Sequence, residues 1–365
     1  MKKPIDNSRE FKHVLLLIAE ARSSAFQKVN EELVLLYFKV GKLVSEKVLT
    51  GTWGESVVEE LAVFIQANYP GLKGFNRRGL YRMKQFYEAY TAREFILLLQ
   101  AQIQKTENEN VSAMRTQNEK NEPTIDYLLK NYLAKMSWTN HRLILSKTKS
   151  VDEKLYYLFT AIVEKYSSRD LERALNTVQY ERVMLSDTIA SAVRTQIPQG
   201  LFKDPYIFEF LDIPVIHSEK DLEKALILNL QKFIIEIGKG FTYMGNQYCL
   251  QVGNKDYYTD LLFYHRDLKC LILFELKIQE FEPEFLGKLN FYLEALDRDV
   301  RRPFENPSIG VLLCKGKDTE VVEYAMARNS SPTVIADYET KLIPKPVLAN
   351  KLHQLVEQLS KRDPD

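Results

Sequence analysis

Apolar residues recur at helical spacing through most of the first half of the chain. Spacings of three and four residues place them on one face of each helix, so the pattern predicts an all-helical amino-terminal domain. The apolar positions fall in four runs: Val14, Leu17, Ile18 and Ala21; Leu33, Leu36, Tyr37 and Val40; 156–166; and 171–183. The polar tract at 105–124 is rich in Asn, Glu and Gln, which predicts a flexible insertion in this domain.

The second half of the chain mixes helical and strand patterns. A capping box formed by Ser218 and Asp221 predicts a helix that ends at Gly238. Two runs rich in β-branched and aromatic residues, 256–264 and 270–277, then predict a β-hairpin. A further helix is expected after Pro283.

The hairpin carries two carboxylates and a lysine. Side chains alternate along a strand, so Glu275 and Lys277 share a face. If residues 266–269 form a four-residue loop, Asp260 lies directly across from Glu275 and points to the same side. Facing carboxylates repel each other, so a divalent cation between them is expected, and Mg²⁺ prefers such oxygen ligands.

These groups are the ones that metal-assisted phosphodiester cleavage needs. A bound Mg²⁺ lowers the pKa of a water and neutralises phosphate charge, while Lys277 can orient the nucleophile or stabilise the transition state. The same spacing also fits a chance match on a solvated strand face. The apolar composition of both runs favours the metal site.

Helices on either side of the hairpin add three polar candidates. Glu223 is either a first-turn acid favoured by the helix dipole or a third carboxylate near the metal. Lys288 and Tyr292 are four residues apart on one helical face. They form either a phosphate-directed cation with its neighbour or a lysine beside a buried ring.

The net charge is only +1, but basic residues concentrate in one window, between Gly71 and Arg93. The window resembles the second half of a helix-turn-helix, because Pro70 and Gly71 break the chain and Asn76 can cap the next helix. In such a motif the first turns face the major groove. The alternative is a solvated basic face on a core helix. The predicted nucleic-acid-binding residues are Lys73, Arg77, Arg78, Arg82 and Lys84.

Length and composition agree with two domains of ordinary size. The chain has 365 residues, 45% hydrophobic and 27% charged. The apolar pattern weakens at 186–198, so we place the boundary near Gln199, with a helical domain at 1–199, a second domain at 200–350 and a tail at 351–365. No apolar run approaches the roughly 20 residues of a membrane span, and no secretory signal opens the chain, so we expect a cytoplasmic protein without membrane association.

Missing motifs exclude several chemistries. The chain has no Gly-x-x-x-x-Gly-Lys-Ser/Thr loop, so a nucleotide cofactor is not expected. Its three cysteines, Cys249, Cys270 and Cys314, lie far apart in apolar strands. That placement predicts buried thiols, and it argues against a disulfide framework or a zinc site.

The hairpin and its flanking helix resemble a known family. The motifs are Tyr258-x-Asp260-Leu-Leu-Phe-Tyr-His265, Cys270-Leu-x-x-Phe-Glu275-Leu-Lys277 and Pro283-Glu-x-x-Gly287-Lys288-x-Asn290-Phe-Tyr292-Leu. They resemble the YhcG-like proteins of the PD-(D/E)XK nuclease superfamily. The resemblance extends to the helical domain that accompanies this nuclease, through Trp53-Gly54, Tyr69-Pro70-Gly71-Leu72-Lys73-Gly74-Phe75 and Ser137-Trp138-Thr139-x-His141.

The resemblance implies a fold and a site. The fold is an all-α amino-terminal domain followed by an α/β restriction-endonuclease-like domain, with a central mixed sheet flanked by helices. The implied catalytic residues are Asp260, Glu275 and Lys277, with Glu223 as the helix carboxylate. Lys288 and Tyr292 match a Gln-x-x-x-Tyr motif of relatives, with Lys in place of Gln. The expected metal ligands are Asp260, Glu275, Glu223 and the main-chain carbonyl of Leu276.

The expected function is a Mg²⁺-dependent endonuclease acting on DNA, with Mn²⁺ as a substitute ion. The alternative is a non-catalytic nucleic-acid-binding regulator that kept the fold, or an interaction module of a defence or recombination complex. The expected partners are DNA, branched or at a specific site, a second copy of the chain in a homodimer, and a protein bound by the amino-terminal domain.

Overall fold

The computed structural model describes residues 8–110, 125–192, 197, 199–214 and 216–362. The chain divides into two compact units, Met1–Leu175 and Asn176–Asp365. Of the predicted flexible insertion, residues 105–110 are helical, and residues 111–124 lie outside the described part of the chain.

The first unit is helical throughout its described residues. Side chains cap several of these helices: Ser137 accepts the N–H of Asn140, and Ser150 accepts the N–H of Glu153. The helices are α1 (Ser8–Leu49), α2 (Glu55–Asn68), α3 (Arg77–Thr91), α4 (Arg93–Asn110), α5 (Ile125–Asn131), a 3₁₀ turn (Leu133–Lys135), α6 (Trp138–Lys147), α7 (Val151–Val163) and α8 (Ser168–Asn176). The predicted all-α fold of this half is confirmed.

Helices α1 and α3 pack closely because a glycine faces the contact. A Cβ atom at Gly41 would lie 2.0 Å from the carbonyl oxygen of Met83, so a larger residue would force the helices apart. Asn76 caps α3 as the sequence predicts, because its Oδ1 accepts the N–H of Gly79 at 2.8 Å. The core around this contact contains Tyr37, Val44, Val58, Ala62, Phe75, Leu80 and Met83.

The second unit is built on a six-stranded sheet with the order β1-β6-β5-β4-β3-β2. Strands β1, β6, β5 and β4 are parallel neighbours, whereas β3 and β2 join by antiparallel pairing. The strands are β1 (Tyr206–Ile207), β2 (Phe241–Val252), β3 (Lys255–His265), β4 (Cys270–Leu276), β5 (Ile309–Cys314) and β6 (Thr333–Glu339). The helices are α9 (Gln179–Ala192), α10 (Glu219–Leu228), α11 (Leu230–Ile237), α12 (Glu284–Ala295) with a π-helical end (Leu296–Val300), α13 (Thr319–Met326) and α14 (Lys345–Arg362).

Alternating residues of β4 bury both faces of the sheet. Ile272 and Phe274 join a core that includes Leu222 of α10. Leu271 and Leu273 point to the other face and join a core built with α12 and α13. A strand covered on both sides reads as a continuous apolar run, which is what the sequence shows before Glu275. The predicted mixed sheet flanked by helices is confirmed.

Helix α9 lies within the second unit, although it precedes the boundary predicted near Gln199. The guanidinium of Arg182 is fully buried and bonds the carboxylate of Glu236, so α9 could not leave without exposing a buried charge. Residues 351–362, predicted as part of a tail, continue helix α14. The reason is apolar packing: Leu355 contacts a cluster formed by Leu185 and Ile189 of α9.

Two further expectations can be compared with the fold. In the part of the chain that the structure describes, no helix is long and apolar enough to cross a membrane.

All three cysteines are free, and Cys270 and Cys314 are buried as expected. Cys249 is exposed, contrary to the expectation, because it lies on the edge strand β2.

Candidate active site

The hairpin of β3 and β4 ends at the two predicted carboxylates. Residues 266–269 form a four-residue loop, and the pairing runs from His265 opposite Cys270 to Leu261 opposite Phe274. One step further in this register lie Asp260 and Glu275, where the backbone pairing stops. The parity of the hairpin therefore brings the two acids together at one end of the ladder.

The side chain of Asp260 accepts a hydrogen bond from the main chain of β4. Its Oδ2 accepts the main-chain N–H of Leu276 at 2.8 Å. Burial raises the pKa of Asp260 to about 7, and the neighbouring charge of Glu275 adds to the rise, against the Leu276 N–H and the charges of Lys277 and Lys288. Asp260 therefore holds a proton up to neutral pH unless a further cation approaches.

Glu275 is fully buried, and only one of its two carboxylate oxygens has hydrogen-bond partners. Its Oε1 accepts from Lys288 Nζ at 2.5 Å and from Lys277 Nζ at 3.3 Å. Its Oε2 is buried and has no hydrogen-bond partner among the described residues. Leaving a buried acceptor unpaired costs about 1–3 kcal/mol, and more when the group is charged. The free oxygen can therefore accept a hydrogen bond or a cation from outside the chain.

Lys277 is held by three elements. Its ammonium lies 2.9 Å from the carbonyl oxygen of Leu276 and 3.3 Å from Glu219 Oε2 on α10, in addition to Glu275. It also lies 5.6 Å from the ring centroid of Phe285 on α12. These contacts fix a lysine that is largely buried beside the two carboxylates.

Lys288 and Tyr292 share a face of α12, as their spacing predicts. The Lys288 ammonium lies 5.2 Å from the ring centroid of Tyr292. Burial lowers the pKa of Lys288, but its hydrogen bond to Glu275 and the nearby carboxylate charges outweigh that effect and raise the pKa above its usual value. Burial also raises the pKa of the Tyr292 hydroxyl. Lys288 is exposed enough to meet a substrate, since 47% of its side chain faces solvent.

Glu223 has partners of its own. Its two carboxylate oxygens accept from Asn246 Nδ2 at 3.0 Å and from Gln247 Nε2 at 2.8 Å, both on β2. Across the described ranges, no three His, Cys, Asp or Glu side chains form a group that could hold a metal ion. The structure thus brings Asp260, Glu275, Lys277, Lys288 and Tyr292 together, and gives Glu223 contacts with β2.

Sequence reasoning missed Glu219, which is the α10 acid that contacts Lys277. The signal was available: the capping box makes Glu219 the first residue of the helix, one turn before Glu223 on the same face. Asn246 and Gln247 were also missed. They follow an irregularity in the β2–β3 pairing between Tyr243 and Gly245, which no hydrophobic pattern marks.

The donor set fits a divalent cation. Mg²⁺ commonly takes one or two carboxylates, keeps several waters and adds substrate phosphate oxygens. Asp260 has a raised pKa, and Glu275 has an unpaired buried oxygen, so both gain from a nearby cation. The main-chain carbonyl of Leu276, the residue after Glu275, accepts a hydrogen bond from Lys277.

Some cations of the predicted basic helix form ion pairs and others do not. Arg77 forms ion pairs with Glu55 and Glu59 of α2, and Lys84 pairs with Glu88. For Arg78 and Arg82 the described residues provide no acidic partner. Residues 69–76 link α2 to α3 and are longer than the usual three- or four-residue turn of a helix-turn-helix. Recognition of DNA through this helix pair therefore stays a prediction.

Family models match both halves of the chain. Residues 199–355 match the YhcG PDDEXK nuclease domain, and residues 13–123 match the DUF1016 N-terminal domain. The second half is therefore a nuclease domain of the PD-(D/E)XK class. The predicted resemblance to the YhcG-like PD-(D/E)XK nucleases with a helical amino-terminal domain is confirmed.

A curated relative matches nearly the full length. The chain is 27% identical over 350 residues to "Putative nuclease YhcG" of Escherichia coli (strain K12), and the match covers 93% of this chain and 92% of that protein. Two solved structures match over 36% of this chain and about half of their own length. They are a repair endonuclease from Pyrococcus abyssi, 12% identical with a TM-score of 0.23, and EndoMS in apo form, 15% identical with a TM-score of 0.24.

Proposed function

We propose that this protein is a metal-dependent endonuclease that hydrolyses phosphodiester bonds in DNA. The observation that carries the proposal is the unpaired buried Oε2 of Glu275 beside Asp260, whose pKa is raised to about 7. Two carboxylates in this state favour a shared cation. Lys277 and Lys288 add positive charge on the same side, where a phosphate would approach.

In this proposal Asp260, Glu275 and the main-chain carbonyl of Leu276 hold Mg²⁺, with Mn²⁺ as a substitute. The ion supplies positive charge to the scissile phosphate and a water of lowered pKa. Glu223 keeps its bonds to Asn246 and Gln247 and so positions α10 against β2.

The two lysines have different tasks. Lys277 is held by Glu219 and Glu275, so its ammonium can orient the attacking water and exchange protons with it. Lys288 is the more exposed cation and can leave Glu275 for a substrate phosphate, while the Tyr292 ring supports its stem.

A non-catalytic nucleic-acid-binding regulator is the second candidate. One observation favours it: Lys277 and Lys288 already neutralise Glu275, as expected of a site that kept its fold without a metal. In that case nucleic acid would bind, but no divalent ion would produce cleavage.

The test is cleavage of plasmid and branched DNA by the purified protein in Mg²⁺ or Mn²⁺, with Asp260→Ala and Lys277→Ala variants. Asp256→Ala and Lys315→Ala are matched controls, since both residues are exposed in the same unit. Cleavage by the wild-type protein and both controls, lost in the two site variants, supports the nuclease. DNA binding without metal-dependent cleavage of any substrate supports the regulator.

We also propose a homodimer in the cytoplasm that binds DNA or a protein partner through its helical unit. Helix α1 supports self-association, because it exposes Leu15, Leu16, Leu17 and Phe26 to solvent. Light scattering after size exclusion, with and without DNA, tests the stoichiometry. A monomer under both conditions would remove the dimer from the proposal.

A further inference from the structure

Helices α3 and α6 enclose a groove with an arginine on each wall. Arg82 and Gln85 line it from α3, and Thr139, Arg142 and Ser146 line it from α6. On each helix these residues are three or four positions apart, so they belong to one face. The Arg82–Arg142 groove, named here for its two cations, has a volume of about 150 Å³.

The positive charge of this groove is not balanced. The pKa of Arg82 is lowered by burial and then by the neighbouring charges of Arg142 and Arg78. In the described part of the chain, none of the three arginines forms an ion pair with an acid, whereas Arg77 and Lys84 both do. Like charges held together in one groove repel each other, and a bound anion would relieve that repulsion.

We propose that the Arg82–Arg142 groove binds a phosphodiester group of a nucleic-acid strand. Two guanidinium groups can bracket the phosphate oxygens with several charged hydrogen bonds. Thr139 and Gln85 add neutral donors of the kind that contact DNA phosphates, and Ser146 can add another by giving up its bond to the Leu143 carbonyl.

The dimensions of the groove favour a phosphate over an acidic protein segment. A volume of about 150 Å³ admits a phosphate and a few waters. It is too small for a helix, which is about 10 Å across with its side chains. Only Leu143 and Leu145 offer apolar contact, which is little for a protein interface. Arg142 was absent from the basic residues predicted by sequence, because it lies on a different helix from the rest.

This inference rests on the proposed function for the source of the phosphate, namely a DNA strand presented to the nuclease. Contacts to phosphate position a strand and carry no sequence information. The groove is therefore expected to contribute affinity that depends on salt and is the same for all DNA sequences.

The test measures binding of a fluorescent 30-base-pair duplex to the full-length protein by anisotropy, in EDTA and at several NaCl concentrations. For the Arg82→Gln/Arg142→Gln variant, the slope of log affinity against log salt should be smaller in magnitude by about 1 to 2 than for wild type. Arg22→Gln removes an exposed arginine of the same unit outside the groove and should keep the wild-type slope. An unchanged slope and affinity in the double variant would overturn the proposal.

Thermal unfolding provides a second measurement that does not depend on DNA. At equal ionic strength, sodium phosphate should raise the melting temperature above its value in sodium chloride by more in wild type than in the double variant, which keeps only the general stabilisation by an excluded salt. A phosphate effect without any change in the DNA slope would assign the groove to free phosphate and overturn the nucleic-acid source. The variant should melt no lower than wild type in chloride, because it removes a repulsion.

Failure of this inference can be told from failure of the proposed function. Binding is measured in EDTA, so it is independent of cleavage. Cleavage that requires Asp260, with an unchanged salt slope in the double variant, would reject the groove and keep the nuclease. A reduced slope in a protein that never cleaves DNA would keep the groove and reject the nuclease.

Discussion

Two glutamates of the second unit are equally buried and differ in how they are satisfied. Glu236 Oε1 accepts from the guanidinium of Arg182 and from the main-chain N–H of Ile207 at 2.9 Å, and the main-chain carbonyl of Glu236 accepts from Lys203. Neither carboxylate oxygen of Glu236 is among the buried atoms without a partner in the described part of the chain. Glu275 has two lysines on one oxygen and no partner for the other within the described residues. Both side chains are about 0% exposed.

The difference distinguishes a carboxylate that stabilises the fold from one that can still bind a group from outside the chain. A buried charge that is fully paired fastens neighbouring elements, and here it holds α9 to α11. A buried charge left partly unpaired costs stability, and at Glu275 a cation from outside the chain would reduce that cost. The helical unit repeats the contrast, since Arg77 is paired with two acids while Arg82 faces other arginines.

The largest expected effect is on stability at the paired glutamate. Arg182→Met leaves Glu236 buried without its counter-ion, which should lower the free energy of unfolding by about 3–5 kcal/mol. Urea denaturation measures this, with Arg169→Met as the control because Arg169 is exposed. A loss below about 1 kcal/mol would mean that Glu236 is not maintained by Arg182.

The second effect is on activity at Glu275, the glutamate with one free oxygen. Glu275→Gln keeps the shape of the side chain and removes its charge, so cleavage should fall at least about 100-fold, equivalent to about 2.7 kcal/mol. Unfolding free energy should stay within about 1 kcal/mol of wild type. Glu282→Gln, an exposed neighbour, should cleave normally. Normal cleavage by Glu275→Gln would contradict the proposed site.

The third effect is a pH dependence of stability from Asp260. Its pKa is about 7 in the folded protein and about 3.9 when unfolded, so the folded state binds the proton more tightly. This stabilisation is fully present below about pH 4 and is lost as the pH rises to 7.

The Asp260→Asn variant does not lose stability as the pH rises, because its side chain does not ionise. In EDTA at pH 8 the variant should be more stable than wild type, on the order of 2 kcal/mol once the partial exposure of Asp260 is discounted, and the difference should disappear near pH 4. Urea titrations across this pH range test it. Equal stabilities at pH 8 would show that the carboxyl is ionised in the folded protein at little cost.

The fourth effect concerns Glu219, which holds Lys277 from α10. Glu219→Gln should lower the cleavage rate up to about 10-fold, or about 1.4 kcal/mol, with DNA affinity unchanged. Its pH–rate profile should shift, because the charge beside Lys277 is gone. Lys220→Gln is the control, one residue along the same helix. A changed affinity with a normal rate would place Glu219 in substrate binding instead.

The smallest effect is at the paired surface arginine. Arg77→Gln breaks an exposed ion pair with Glu55, so unfolding free energy should change by no more than about 1 kcal/mol. Its effect on DNA affinity should be smaller than that of Arg82→Gln, since Glu55 and Glu59 already neutralise Arg77. Anisotropy of both variants measures this, and a larger loss for Arg77→Gln would reverse the assignment.

Local pattern was enough to predict the elements that carry the site. The four-residue loop after His265 and the alternation along β4 brought Asp260 and Glu275 together, because strand parity depends only on residue spacing. The cap at Asn76 and the capping box at Ser218 were predicted for the same reason, since each is closed by residues three positions apart.

The partners of these residues could not be predicted in this way. Glu219 reaches Lys277 across 58 positions, and Arg182 reaches Glu236 across 54. Such contacts depend on how helices pack on the sheet, which no local period specifies. The same limit hid Arg142, which lies outside the basic window and meets Arg82 only where α3 and α6 come together.

The sequence by itself determined which residues form helices and strands, which side of the hairpin bears its acids, and which family the chain resembles. These follow from periodicity and short-range hydrogen bonding. Only the tertiary structure decided which charges are paired: in the described part of the chain Glu275 keeps one oxygen without a partner and Arg82 has no acidic partner, whereas Glu236 and Arg77 form ion pairs. Pairing is a property of distance in space, and burial sets its energy, so neither can be read from position along the chain.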